Sequence, residues 1–224
     1  KAPLAGGILR YGIPDYRLPP AILDQEIDYI KRLGVDIQLN VTIGKDRPVS
    51  GLFKEGFKAI YLAAGAPKNV RMNIENEDAE GVVPGIDYLN FLNLRMPVKT
   101  GKKVVIVGGG DVAIDASREA LRQGASEVKI LYRRSRSEMP AVKSEILAAE
   151  EEGIKIELLV NPIAILSEGG KVCGIRCVRN ELGEPDHSGR RRPVPVAGSE
   201  FNIECNMVIP AIGQQVSGKF LEGT

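Results

Sequence analysis

Tryptophan is absent from the 224 residues, histidine occurs once and cysteine three times. The single imidazole, His187, lies between Asp186 and Ser188 in a polar stretch, where a surface position is the ordinary reading. Mechanisms that need a histidine base therefore have little to draw on. Cys173, Cys177 and Cys205 form no C-x-x-C pair, and their spacing does not suit a zinc or cluster site. They read as buried thiols in a reducing, cytoplasmic setting. No apolar run approaches the ~18 residues of a membrane span, and the opening KAPLAGGILRYG lacks the apolar core of a signal peptide. Neither sign of charge is in excess: the net charge is +1, so neither nucleic acid nor a membrane surface is implied as a partner. What is present, 43% hydrophobic and 26% charged residues, is ordinary for a globular protein of one large domain or two small ones.

The most informative stretch is 102–140. Val104, Val105, Ile106 and Val107 are a continuous β-branched run, which suits a strand buried on both faces of a parallel sheet. Gly108, Gly109, Gly110, Asp111, Val112 and Ala113 follow, in a G-x-G-x-x-A pattern. The first glycine of that pattern allows a sharp turn, and the second allows backbone to approach a pyrophosphate. The alanine lets the next helix pack close to the strand. That helix, expected over 111–123, presents free N–H groups and the positive end of its dipole to the phosphates. A second strand, 128–132, runs into Arg133, Arg134 and Arg136. A site for NAD(H) usually carries an acidic residue there for the ribose 2′-hydroxyl. Three guanidiniums instead favour the 2′-phosphate of NADP(H), which they grip in a fork. No catalytic acid or base is singled out among these residues.

Along the chain, glycine and proline punctuate the first 18 residues. Pro19-Pro20 opens a helix to about 33, with Ile22, Leu23, Ile27, Ile30 and Leu33 as its apolar stripe. Residues 35–39 alternate as a strand, and 58–64 read as another, ending at Gly65. A proline-containing linker zone with a short helix near 87–94 leads to a domain boundary at 97–101. Beyond the arginines, a helix over 141–152, a strand over 154–160 and a hairpin around Gly169-Gly170 are expected. Residues 180–200 read as a polar loop, with Arg190, Arg191 and Arg192 solvated. Two last strands end in Ala211-Ile212-Gly213. On the first helix Asp115 and Arg118 are spaced for an ion pair, and Glu138 is placed as a local partner for an arginine.

Five motifs together resemble one family: GGILRYGIPDYRLP at 6–19, YLAAGAPK at 61–68, VVIVGGGDVAIDASREA at 104–120, YRRSRSEMPA at 132–141 and PAIGQ at 210–214. They are similar to the small-subunit family of NADPH-dependent glutamate synthase and its relatives, the flavin portion of dihydropyrimidine dehydrogenase and ferredoxin–NADP oxidoreductases. The resemblance implies an α/β fold: a Rossmann-like parallel sheet with a β-meander for NADPH at 97–208, and an incomplete FAD-binding domain at 1–96 and 209–224. It implies that NADPH passes hydride to FAD, and that electrons leave through iron–sulfur clusters to a partner. That partner would be the glutamate synthase large subunit or another iron–sulfur acceptor such as ferredoxin, a sulfur or a pyrimidine system. By the same resemblance Gly108 to Ala113 hold the pyrophosphate, and Arg133 and Arg134 hold the 2′-phosphate. Ala211, Ile212 and Gly213 approach the nicotinamide. Ile8, Leu9 and Arg17 lie against FAD, with Gly65 near it. The family's flavin glycine fingerprint, its cluster cysteines and its closing G-D segment are not among these residues. The chain is thus expected to be part of a longer protein, binding NADP(H) and holding FAD poorly. A non-catalytic NADP-binding module is the other expectation.

Overall fold

The computed structural model describes residues 2–216, so the end of the expected 209–224 segment lies outside it. In chain order the elements are α1 (Ile8–Tyr11), α2 (Pro20–Arg32), α3 (Val49–Lys54), β1 (Lys68–Asn69), α4 (Gly85–Asn93), β2 (Lys103–Val107), α5 (Asp111–Arg122) and β3 (Glu127–Tyr132). A short 3₁₀ turn (Arg136–Glu138) precedes α6 (Lys143–Glu151), β4 (Lys155–Leu158), β5 (Val160–Glu168), β6 (Lys171–Pro185), β7 (Arg191–Pro195), β8 (Phe201–Glu204), β9 (Met207–Pro210) and β10 (Gln214–Gln215). Contacts divide the chain into two units: Arg71–Ile212, and the residues on either side of it.

The larger unit has three layers. A parallel sheet in the order β4-β3-β2-β9 lies in the middle. Because strand side chains alternate, Val104 and Ile106 of β2 face one layer and Val105 and Val107 the other. The first face packs against the three helices α4, α5 and α6, through Tyr88, Leu89, Ile114 and Ile146. The second packs against an antiparallel meander centred on β6, through Ile165, Ile175, Cys177 and Ile203. Both faces of β2 are therefore buried, which is why its sequence is a continuous apolar run rather than an alternation. Each such side chain contributes roughly 1.5–3 kcal/mol of transfer free energy. The turn joining β5 and β6 has Gly169 at φ 56° and Gly170 at φ 78°, the paired left-handed conformation of a tight hairpin.

Three expectations change here. Residues 71–96 join the nucleotide-side unit, since α4 sets Tyr88 and Leu89 into its helix-side core. Residues 180–200 are not a loop: β6 continues to Pro185 and pairs with β7, Asn180 opposite Pro195 and Leu182 opposite Pro193. Pro185 ends β6, and Pro193 and Pro195 lie in β7, which pairs, among the described residues, only with β6, where a missing N–H is tolerated. In the smaller unit, 35–39 and 58–64 form no strand among the described residues. Apolar alternation marks a face, but a strand exists only by pairing, and neither segment has a ladder partner there. Tyr61 is 93% exposed, and on α2 only Leu23 and Ile27 of the expected stripe are buried.

Candidate nucleotide-binding site

Three consecutive glycines end β2, and each has a different cause. Gly108 has φ +144°, and a Cβ there would lie 2.3 Å from the Ala211 carbonyl oxygen. The two segments are locked together, with the Ala211 N–H donating to the Val107 carbonyl at 2.7 Å. At Gly109 a Cβ would lie 2.5 Å from the Tyr132 ring. Both glycines are therefore required by the protein's own packing. Gly110 is not: its φ is −95°, and the nearest protein atom to a Cβ would be Pro140 Cγ at 3.8 Å. Nothing in the fold demands glycine there, so the open side of the turn is a cradle that a side chain would partly fill.

That cradle is lined by donors. Gly110 caps α5, and the first helical bonds run from Ala113 and Ile114 back to its carbonyl. Among the described residues, the N–H groups of Gly109, Gly110, Asp111 and Val112 have no hydrogen-bond partner. Free donors at the positive end of a 12-residue helix suit an anion. Ala113 is fully buried, so the helix sits close to the sheet. The Asp111 carboxylate accepts from the Val142 N–H at 3.1 Å and anchors that loop rather than facing the cradle alone.

The structure separates the three arginines beyond β3. Arg136 pairs with Glu150 of α6. Arg134 is only 4% exposed. Its guanidinium donates to the Asp186 carboxylate at 2.6 Å and to the Arg191 carbonyl at 2.7 Å. Arg133 is exposed, and among the described residues its guanidinium makes no hydrogen bond or ion pair. Desolvation by surrounding protein, then repulsion from Arg134 and Arg190, lowers its proton affinity, an environment that an added anion would relieve. Of the three expected phosphate ligands, Arg133 is thus the free one.

The β6–β7 turn, whose arginines looked solvated from sequence, is docked on this strand end. Besides the Arg134 bonds, Glu138 accepts from the Arg191 backbone N–H at 2.9 Å and from its Nε at 3.2 Å. Asn180 on β6 donates to the Arg133 carbonyl at 3.0 Å. The sequence signal was there in Asp186-His187-Ser188-Gly189: an Asx turn followed by a left-handed glycine, φ 77°. Side-chain and backbone hydrogen bonds from Ser188, with help from Arg134, bring Asp186 down to about 2 from 3.8. Burial opposes ionisation of Glu138, but bonds from Ser135 and Arg191 outweigh it and bring that group to about 2 from 4.5. Carboxylates with depressed folded-state values stabilise docking in full above their ordinary values, and lose that contribution as pH falls toward about 2. The amide resonances of Ser188 and Arg191 are accordingly expected to hold steady from pH 7 to about 5 and to report an undocked turn near pH 2. Undocking already complete at pH 4 would refute the assignment.

The other expected residues are placed as follows. Ala211 closes the glycine turn, and Ile212 is exposed beside it in sequence. In the smaller unit, the Gly213 carbonyl accepts from Val70, Ile8 and Leu9 are exposed on α1, Arg17 stands 5.7 Å from the Tyr16 ring, and Gly65 has φ 68°. Arg118 bonds Glu145 of α6 and Glu152, which caps that helix. Burial pushes the Cys177 and Cys205 thiols up to about 12, as inert core groups. Among the described residues no His, Cys, Asp and Glu cluster could hold a metal ion, and no helix is long and apolar enough to cross a membrane.

The chain is similar to several known proteins. A family model described as pyridine nucleotide-disulphide oxidoreductase matches residues 21–224. The chain is 50% identical to the NADP(+)-dependent formate dehydrogenase subunit beta of Moorella thermoacetica, over 99% of the chain and 32% of that protein. It is 50% identical to the NADPH-Fe(3+) oxidoreductase subunit beta of Geobacter sulfurreducens, over 96% of the chain and 33% of that protein. Identity to the Escherichia coli glutamate synthase [NADPH] small chain is 37%, over 94% of the chain and 47% of that protein. The chain thus spans about a third to about a half of the length of these relatives. Among solved structures, Mycobacterium tuberculosis FprA in complex with NADPH shares the fold, with TM-score 0.80 at 22% identity over 97% of this chain and 63% of that one.

Proposed function

Because the chain belongs to the pyridine nucleotide-disulphide oxidoreductase family, we propose that it is the NADP(H)-binding part of a flavoprotein oxidoreductase. The observation that carries this is Gly110: no protein atom requires a glycine there, yet it fronts a row of unpaired N–H donors at a helix start. A pyrophosphate explains both. In this reading the N–H groups of Gly109 to Val112 bind the pyrophosphate, and the helix dipole adds to them. Arg133 holds the 2′-phosphate, and Arg134 and Arg136, expected beside it, support the loop and α6. When bound, NADPH supplies hydride to FAD, which passes electrons onward. The chain's contribution is orientation and exclusion of water, with no acid or base required. Ala211, Ile212 and Gly213 border the nicotinamide, and Ile8, Leu9, Arg17 and Gly65 belong to the flavin side.

Titration of the purified chain by calorimetry is the test: stoichiometric NADPH binding, and weak or no FAD binding, are expected. Tight FAD binding without NADPH binding would overturn the reading.

Onward transfer would go to an iron–sulfur partner, in the cytoplasm. The expected partner is the large subunit of glutamate synthase. The higher identity to the formate dehydrogenase and Fe(3+) oxidoreductase beta subunits favours a different acceptor. Assaying the complete protein for NADPH-dependent ferric reduction against glutamate formation separates the two.

A further inference from the structure

We propose that Arg190, on the β6–β7 turn, completes the 2′-phosphate site with Arg133, and that Arg134 is the positioning residue that holds the turn in place. The inference rests on the reading that this chain binds NADP(H). Arg134 grips the turn on both sides of Arg190: at the Asp186 carboxylate, 2.6 Å, and at the Arg191 carbonyl, 2.7 Å. The Asp186 N–H closes the turn on the Arg190 carbonyl at 2.8 Å, and Glu138 fixes the Arg191 N–H. With both neighbours tied to the strand end, the Arg190 backbone is held there too.

Its side chain is half-buried, and its Nε donates to Ser188 Oγ at 3.1 Å. Among the described residues its two terminal nitrogens have no partner, and the Arg133 guanidinium has none either. Each arginine lies close enough for the Arg190 charge to act on Arg133. Of the guanidiniums of Arg133, Arg134 and Arg190, only that of Arg134 is paired with a carboxylate, Asp186, and Glu138 serves Arg191. That leaves an excess of two positive charges, which matches the roughly −2 of a phosphate monoester. The Arg190 charge repels that of Arg133, a repulsion that a bound anion would relieve, and a phosphate offers oxygens to both guanidiniums. Arg192 makes a natural control. It follows Arg191 in β7, and successive strand side chains point to opposite faces, so it turns away from Glu138 and the strand end.

The test is calorimetric titration of the chain with NADPH and, separately, NADH. Arg190→Gln is expected to weaken NADPH binding at least tenfold and to leave NADH binding unchanged, at an unaltered melting temperature. Arg190→Lys restores part of the preference, and Arg192→Gln changes neither affinity. Unchanged NADPH binding in Arg190→Gln, or an equal loss for both nucleotides, overturns the proposal. If Arg190→Gln does not fold, the NADPH-to-NADH ratio of Arg190→Lys decides, with a several-fold fall expected and an unchanged ratio refuting it. An unsubstituted chain that binds neither nucleotide defeats the underlying reading and this proposal together. One that binds NADPH while Arg190→Gln binds it equally well defeats this proposal alone.

Discussion

Gly110→Ala is expected to fold as well as the unsubstituted chain and to bind NADPH at least tenfold more weakly. The backbone at residue 110 is extended, with φ −95° and ψ 179°, and any residue adopts it. The added methyl meets no protein atom closer than 3.8 Å. Replacing glycine where the conformation permits it removes freedom from the unfolded chain, about 0.4–1 kcal/mol, which offsets the poorer standing of alanine at a helix N-cap, so stability should hold. Gly108→Ala gives the opposite pattern. Its Cβ would stand 2.3 Å from a carbonyl oxygen, at φ +144°. Relieving that overlap means moving β9 or distorting the turn, at a cost of roughly 1–3 kcal/mol or more. Thermal melts and nucleotide titrations on the two variants make the comparison. A Gly110→Ala chain that binds NADPH as tightly as the original would remove the main support for a pyrophosphate in the cradle.

Arg133→Met and Arg134→Met should part in the same way. Loss of Arg133 removes a cation that the protein itself does not use. The melting temperature should stay where it was, NADPH affinity should drop by one to two orders of magnitude on the roughly twofold-stronger scale of charge-assisted bonds, and NADH binding should be untouched. Loss of Arg134 leaves the Asp186 carboxylate without its guanidinium and frees the turn that the Arg191 carbonyl helps to fasten. A buried guanidinium with two partners is structural first, so the melting temperature should fall by several degrees. NADPH preference should weaken with it, through the displaced turn. Matching melting temperatures for the two variants would mean that Arg134 is as free as Arg133.

Most of the parallel sheet could be read from residues alone, because β2, α5 and β3 each bury a face whose period is written locally. Val104 to Val107 announce burial on both sides, and Gly108 to Ala113 announce the turn and the close helix. The division of labour among the arginines was not legible. Arg133, Arg134 and Arg136 look alike in sequence, and what distinguishes them is Asp186 and Glu150, side chains brought up from distant positions. The turn is signalled locally by Asp186 to Gly189, but its docking was hidden for the same reason: Glu138 and Asp186 acquire their roles only when β6 and β7 pair. In the smaller unit the alternation at 35–39 suggested a strand that does not form among the described residues, where Val35 and Leu39 are exposed, because alternation cannot say whether a neighbouring strand is at hand.

The contact between Gly108 and Ala211 also bears on how the chain comes together. The glycine turn and α5 are synthesised before β9, which clasps them, with the whole meander between. Folding from the N-terminus cannot finish the nucleotide cradle step by step, because the strand that shapes its back wall arrives only after the whole meander has been laid down. Until then β2 lacks one neighbour and offers an open edge of unpaired backbone. The cradle is therefore a product of the completed unit, and a nucleotide that binds it would select chains in which β9 is already in place.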